Sequence, residues 1–109
     1  TTAEARAAVH EVRARGQQNI AIQFDLYHRQ IQEGDTATAL REFFPLIGHI
    51  QIANPPDRAE PDDGEMNYAF LFREIDRLGF DGYVGCEYKP RRTTLEGLGW
   101  AQRLGVSLG

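Results

Sequence analysis

Cysteine is nearly absent: Cys86 is the only one in 109 residues. A chain with one cysteine cannot build an internal disulfide framework, and it fits a reducing, cytoplasmic setting. Long apolar runs are missing too. None approaches the roughly 18 residues of a membrane-spanning helix, so no membrane partner is expected. Nothing with the character of a signal peptide precedes the first helical segment, which again points to the cytoplasm. Basic residues are in deficit, 12 Lys and Arg against 16 Asp and Glu, for a net charge of -4. Nucleic-acid binding rests mostly on neutralising phosphates with Lys and Arg, so no nucleic-acid partner is expected. There is no repeat of fixed period and no low-complexity tract. What remains has the composition of an ordinary soluble globular protein, 41% hydrophobic and 26% charged. Its length suits one domain or part of one.

Helix and strand signals alternate along this chain. Thr1 and Glu4 have capping-box spacing, and Ala5, Val9 and Val12 share a face, which predicts a helix over Thr1–Arg15. Gly16 suits the left-handed position after its last turn. Asn19–Asp25 reads as a strand, and Asp35–Phe44 as a second helix stopped by Pro45. A second strand is expected over Ile47–Ala53, and then a loop rich in Pro, Asp and Gly from Asn54 to Gly64. Tyr68, Leu71, Phe72, Ile75 and Leu78 keep helical spacing, with Gly79 as the stop. Tyr83–Tyr88 reads as a third strand. Thr93 and Glu96 repeat the capping-box spacing and start a last helix running to about Leu104.

An α-β-α-β-α-β-α order implies parallel strands joined by crossovers. The strand ends stand 26 positions apart from Asp25 to Gln51 and 36 apart from Gln51 to Glu87. A (β/α)8 barrel of about 250 residues spends roughly 30 on each unit. The chain therefore holds about three units of such a barrel. A doubly wound open sheet is the rival fold, but it usually has about five strands.

Strand parity separates the two. Side chains alternate between the faces of a strand. Ile20, Ile22 and Phe24 share one face of the first strand, opposite Ala21, Gln23 and Asp25. Ile50 and Ile52 oppose His49, Gln51 and Ala53. Val84, Cys86 and Tyr88 oppose Tyr83, Gly85 and Glu87. Each strand thus has one apolar face and one polar or small face. An open sheet covered by helices on both sides needs two apolar faces. A barrel does not, because its inner face lines the site at the C-terminal mouth. Asp25, Gln51 and Glu87 all lie on the polar face near their strand ends. Three hard oxygen donors converging there suggest a divalent cation such as Mg2+ or Mn2+. Taken singly, an Asp at a strand end more often caps the next helix, and a Glu or Gln there is usually solvated.

Longer motifs go further. Ile22-Gln-Phe-Asp-Leu-Tyr-His28 resembles the sixth-strand motif of the hydroxypyruvate isomerase family, within the xylose isomerase-like barrels. His49-Ile-Gln-Ile-Ala53 with Pro56-Asp-Arg-Ala-Glu-Pro-Asp-Asp-Gly-Glu-Met-Asn-Tyr68 resembles its seventh strand and following loop. Gly85-Cys-Glu-Tyr-Lys-Pro90 with Glu96-Gly-Leu-Gly-Trp100 resembles its eighth strand and last helix. The resemblance runs from about Asn19 to Trp100. It implies that residues 1–109 form a partial barrel domain, from the barrel's fifth helix through its eighth.

It also implies roles. Asp25, Gln51 and Glu87 match metal-binding positions, and Glu87 matches one of two catalytic glutamates. His28 and Arg58 match positions that hold the substrate's oxygen atoms, and Lys89 stands close to the site. The implied reaction interconverts hydroxypyruvate and tartronate semialdehyde. A metal polarises the carbonyl and stabilises an enediolate while a carboxylate moves the proton. Arg58 can clamp the carboxylate of such a small hydroxy-oxo acid. Without the family, His28 could equally be structural, and Arg58 and Lys89 could be solvated surface charges. His10 and His49 need no function; His49 is expected to be a packed, hydrogen-bonded barrel residue.

One departure stands out. The family's remaining metal-binding glutamate, also its second catalytic carboxylate, belongs to a strand preceding the first helix here. The N-terminal barrel half that carries it is the expected missing partner. A three-strand piece alone would expose two sheet edges and an apolar flank and would self-associate. The rival functions are a 2-oxo-tetronate isomerase, a ketose epimerase of the same frame, a metal-dependent endonuclease of the same superfamily, and an inactive self-associating fragment. An epimerase is expected to carry His where Gln51 stands. An endonuclease needs more His ligands for zinc and a basic groove.

Overall fold

A computed structural model describes residues 1–16 and 20–107 of the chain. Helix α1 spans Thr2–Ala14 and opens on the expected capping box: the Thr1 hydroxyl accepts from the Glu4 N–H, and the Glu4 carboxylate takes the Thr1 amino group. Gly16 follows with φ 95°. Three short parallel strands come next in chain order, β1 (Ile22–Asp25), β2 (Ile47–Ile52) and β3 (Val84–Cys86), and they lie side by side in the order β1-β2-β3. The first strand is shorter than expected, and the predicted start at Asn19 lies outside the described residues. Tyr83 and Tyr88 fall outside β3. Tyr83 is almost fully exposed, while the Tyr88 hydroxyl donates to the Gly97 carbonyl and accepts from the Trp100 indole.

Register explains the faces. Phe24 pairs with Ile50 and Asp25 with Gln51, and Gln51 pairs in turn with Gly85. Between Ile22 and Gln23 the pairing shifts by one, leaving Gly48 as the extra residue on β2. A Cβ on Gly48 would stand 2.8 Å from that of Ala21, so only glycine fits this bulge. Ile22, Phe24, Ile50 and Ile52 are buried under the helices, in one cluster with Leu40, Leu71, Ile75 and Trp100. Burying a side chain of this size is worth about 1.5–3 kcal/mol. The helix-side face therefore carries the packing energy, and the opposite face is left for polar side chains.

Four helices or helix pieces were expected; more are present. Directly after β1 comes α2 (Leu26–Gln32), which the sequence spacing does not predict. Its N-cap is Asp25, whose Oδ1 accepts from the His28 N–H at 3.0 Å, and Leu26 at its start is fully buried. Seven residues are too few to display an apolar stripe. Helix α3 (Thr36–Phe43) ends in a 3-10 turn over Phe44–Leu46 that contains Pro45. Helix α4 (Tyr68–Leu78) has the predicted bounds: Asn67 caps it through Phe70 N–H, and Gly79 ends it at φ 82°. The last helix is split into α5 (Thr94–Gly97) and α6 (Gly99–Arg103) around Leu98. Gly97 and Gly99 weaken helix continuity there. Gly97 also lies close to Glu60, where a Cβ would stand 2.7 Å from Oε1 and push that carboxylate aside. No helix among the described residues is long and apolar enough to cross a membrane.

Candidate active site at the strand ends

Pairing of Asp25 with Gln51, and of Gln51 with Gly85, sets the C-terminal ends of all three strands level. Glu87 follows β3 with its N–H still bonded to the Ile52 carbonyl at 3.1 Å, so its parity with Gly85 is kept. Gln51 occupies the middle. Its amide oxygen accepts from Gln23 Nε2 at 2.8 Å, and its amide nitrogen faces Glu87 Oε1 at 3.5 Å. Gln23, Gln51 and Glu87 thus form a polar row across the face opposite the core. Asp25 stands beside Gln51 with its side chain mostly covered. One carboxylate oxygen caps α2 and the other lies 3.8 Å from His28 Nε2. The expected helix-cap role of a strand-end Asp and its place on the polar face therefore coexist in one residue.

Arg58 comes from the β2–α4 loop. Its Nε donates to the Glu87 carbonyl at 2.9 Å, and its guanidinium lies over the Tyr27 ring at 5.4 Å from the centroid. The two terminal nitrogens have no acceptor among the described residues and are open to a carboxylate. Its backbone is left-handed, φ 58°, a conformation that costs a non-glycine residue about 1–2 kcal/mol. The Lys89 N–H holds the Arg58 carbonyl at 2.7 Å. The Lys89 side chain itself is exposed and makes no described contact. His28 is 45% exposed at the start of α2, edge-on to Tyr27 at 5.1 Å. His49 packs against Gly85, where a Cβ would stand 3.0 Å from its Nε2; its ring makes no hydrogen bond among the described residues.

Asn54 builds the loop that carries Arg58. It is fully buried, its amide donates to the Pro61 and Met66 carbonyls, and its oxygen accepts from the Met66 N–H. Its backbone exchanges two hydrogen bonds with Ala59. Under the end of β2, Tyr68 donates to the Ala53 carbonyl at 2.7 Å and accepts from the Ala53 N–H at 3.3 Å. Burial pushes the Tyr68 phenol well above its ordinary value; the Ala53 hydrogen bond works against this and the nearby Asp25 carboxylate adds to it. Tyr68 is therefore a fixed donor and not a proton-transfer group. Partial burial also raises the Cys86 thiol, with Glu87 adding to the shift, which favours the protonated form.

Sequence reasoning missed Gln23, Tyr27, Asn54 and Tyr68. Parity already placed Gln23 on the polar face two residues before Asp25, and that signal was sufficient to find it. Nothing in local spacing marks Tyr27 as the platform under Arg58, because the contact joins the start of α2 to the distant β2–α4 loop.

Asp25, Gln51 and Glu87 offer two carboxylates and one amide oxygen. Oxygen donors of this kind are those that Mg2+ and Mn2+ prefer. Among the described residues no group of three His, Cys, Asp or Glu side chains gathers to hold a metal ion. The amide and the two carboxylates could supply three of the roughly six oxygens that Mg2+ demands, although the Gln51 oxygen here accepts from Gln23.

The profile of the xylose isomerase-like TIM barrel matches residues 1–104. The chain belongs to that family. A 2-oxo-tetronate isomerase of Cupriavidus necator is 56% identical over 85 residues, covering 78% of this chain and 33% of that protein. A Drosophila melanogaster protein provisionally named a hydroxypyruvate isomerase is 50% identical over 91 residues, 83% of this chain and 34% of that one. Among solved structures, a family 2 AP endonuclease of Brucella melitensis superposes with a TM-score of 0.80 at 44% identity, covering 89% of this chain and 38% of that one. The apo 3-keto-D-glucoside 4-epimerase of E. coli superposes with a TM-score of 0.79 at 29% identity, covering 94% and 40%. The chain thus spans about a third of the length of the curated relatives it matches. Its three parallel strands are part of a TIM barrel, and the rival doubly wound sheet is set aside.

Proposed function

We propose that this chain supplies the barrel from its fifth helix through its eighth, and that the complete barrel isomerises short hydroxy-oxo acids in the cytoplasm. The reaction put forward is the interconversion of hydroxypyruvate and tartronate semialdehyde. Isomerisation of a 2-oxo-tetronate is the second reading, favoured by the 56% identity to the Cupriavidus necator protein of that name. The observation that carries the proposal is the row of Gln51 and Glu87 beside Asp25, with the free end of Arg58 hung over Glu87.

Each residue then has a task. The Glu87 carboxylate takes a proton from the carbon beside the substrate carbonyl and returns it to the neighbouring carbon, in concert with a second carboxylate from another part of the barrel. The electron pair stays within the substrate, so no oxidant is needed. Arg58 offers its two terminal nitrogens to the substrate carboxylate in a bidentate grip. His28, beside Asp25, is placed to hold a hydroxyl, and Lys89 lies at the rim. Asp25, Gln51 and Glu87 would hold a divalent cation, Mg2+ or Mn2+, which supplies Lewis-acid polarisation of the substrate oxygens. An endonuclease reading, raised by the likeness to the Brucella melitensis structure, lacks support from the net charge of -4 and from a donor set that, among the described residues, has no clustered histidines.

The test is a substrate panel on a complete barrel containing this chain, with Mg2+ or Mn2+ added. Turnover of hydroxypyruvate or 2-oxo-tetronate, and not of uncharged ketoses, is expected. Epimerisation of a ketose with neither acid turned over would overturn the proposal.

A further inference from the structure

Arg91 lies outside the candidate site, on the segment that follows Glu87, yet it holds three acidic residues of the loop that presents Arg58. Its N–H donates to Glu60 Oε1 at 3.0 Å, its Nε pairs with Asp63, and its Nη1 reaches Asp57 at 3.2 Å. Glu60 is buried, whereas Asp57 and Asp63 are more than half exposed and Arg91 is 43% exposed. A second tie, Arg103 to Asp62, fastens the same loop to α6. Asp57 is the immediate neighbour of Arg58, and Arg58 stands in the left-handed region. Arg58 has only one hydrogen bond from its side chain, to the Glu87 carbonyl, and rests otherwise on Tyr27. Its placement therefore depends on what holds the loop against the segment beyond β3.

We infer that Arg91 is a positioning residue: an ionic latch that closes the β2–α4 loop onto the β3–α5 segment and so sets the Arg58 guanidinium against the site. The inference rests on the reading of Arg58 as the carboxylate clamp. One exposed ion pair alone is weak. Here one arginine joins three carboxylates, one of them buried, and two partners on a planar fork fix direction as well as distance. Its guanidinium ties loop residues 57 and 63 at once, while its backbone N–H holds Glu60. Losing the guanidinium frees Asp57 and Asp63, next to and beyond Arg58, while Asn54, the Arg103–Asp62 pair and the backbone bonds from Lys89 and Arg91 stay in place. The loop then loosens locally, and the Arg58 side chain is no longer fixed against Glu87. Because the outer part of the latch is solvated, salt should weaken it.

Four forms of a complete barrel test this: wild type, Arg91→Gln, Arg58→Ala and the double variant, each assayed for KM and kcat on hydroxypyruvate. Amide exchange of residues 54–66 is followed without substrate. Arg91→Gln should raise KM about fivefold, the loss of a modest ionic network, with kcat changed by less than about twofold. In the Arg58→Ala background it should add nothing, because it acts through Arg58. The Ala59 and Glu65 amides should exchange faster in Arg91→Gln, and α1 should not. Raised salt should lift the wild-type KM towards that of Arg91→Gln. If Arg58→Ala raises KM and Arg91→Gln does not, or if the two effects multiply in full, the latch is overturned. If Arg58→Ala leaves KM unchanged, the clamp reading fails instead. Amide exchange then decides the latch alone: faster exchange supports it, and unchanged exchange overturns it.

Discussion

Tyr68→Phe removes one oxygen atom from under the end of β2. The ring stays, with its packing against Phe72 at 5.4 Å between centroids. The loss is two hydrogen bonds to one residue, to the Ala53 carbonyl at 2.7 Å and from the Ala53 N–H at 3.3 Å. Ala53 is 1% exposed, so water cannot replace them. A net hydrogen bond is worth about 0.5–1.5 kcal/mol, and a buried group left without a partner costs about 1–3 kcal/mol. The second bond is long, so the expected loss is about 2–3 kcal/mol. In urea, with slopes of about 1–3 kcal/mol per molar, the unfolding midpoint should fall by roughly 1 M. The effect should not vary across neutral pH, because burial keeps the phenol protonated. The Ala53 amide should also exchange faster in the variant. A loss below about 0.5 kcal/mol would mean that the Ala53 backbone is satisfied in some other way, and the reasoning would fail.

Two further outcomes follow from particular residues. The Glu74 carboxyl is held at about 2, against an ordinary 4.5, first by the Arg77 hydrogen bond and then by that of Arg41. A depressed folded value stabilises the fold above about pH 4.5 and stops doing so as pH falls through about 2. Glu74→Gln should therefore flatten that part of the curve of unfolding midpoint against pH; an unchanged acid limb would contradict it. Asp25→Asn should leave stability almost unchanged, because Asn caps a helix nearly as well as Asp. It should weaken Mn2+ binding measured by calorimetry, and excess Mn2+ should partly restore activity. Unaltered Mn2+ affinity would remove Asp25 from the ligand set.

Periodic features were legible in the residues, and long-range ones were not. Helix α4 shows its stripe, its cap and its glycine stop within a dozen positions, and its bounds are as read. Strand parity is equally local, and it separated Ile22, Phe24, Ile50 and Ile52 from Gln23, Asp25, Gln51 and Glu87. Helix α2 was invisible because it has two turns and borrows its cap from a candidate ligand, Asp25. The split at Leu98 follows from Gly97 and Gly99, which weaken the helix on either side of it. Tyr68 looked like one more member of an apolar stripe; its hydroxyl reaches Ala53 across fifteen positions. The resemblance to an isomerase family is what suggested roles for Arg58 and His28; without it, Arg58 reads as a solvated surface charge and His28 equally as structural. The platform under Arg58 and the acids around Arg91 come only from three-dimensional contact.

Turnover by Glu87→Gln tests the central claim most directly. The substitution keeps the size of the side chain and leaves an oxygen at the position facing Gln51, but it removes the proton acceptor. The measurement pairs hydroxypyruvate isomerisation by a complete barrel across a Mn2+ titration with calorimetry of substrate binding. General-base catalysis is worth about 10² to 10⁴ in rate. The account predicts a loss at the upper end of that range, not rescued by excess Mn2+, with substrate binding largely kept. Retention of more than about a tenth of the wild-type rate, well above what loss of a general base allows, would contradict it.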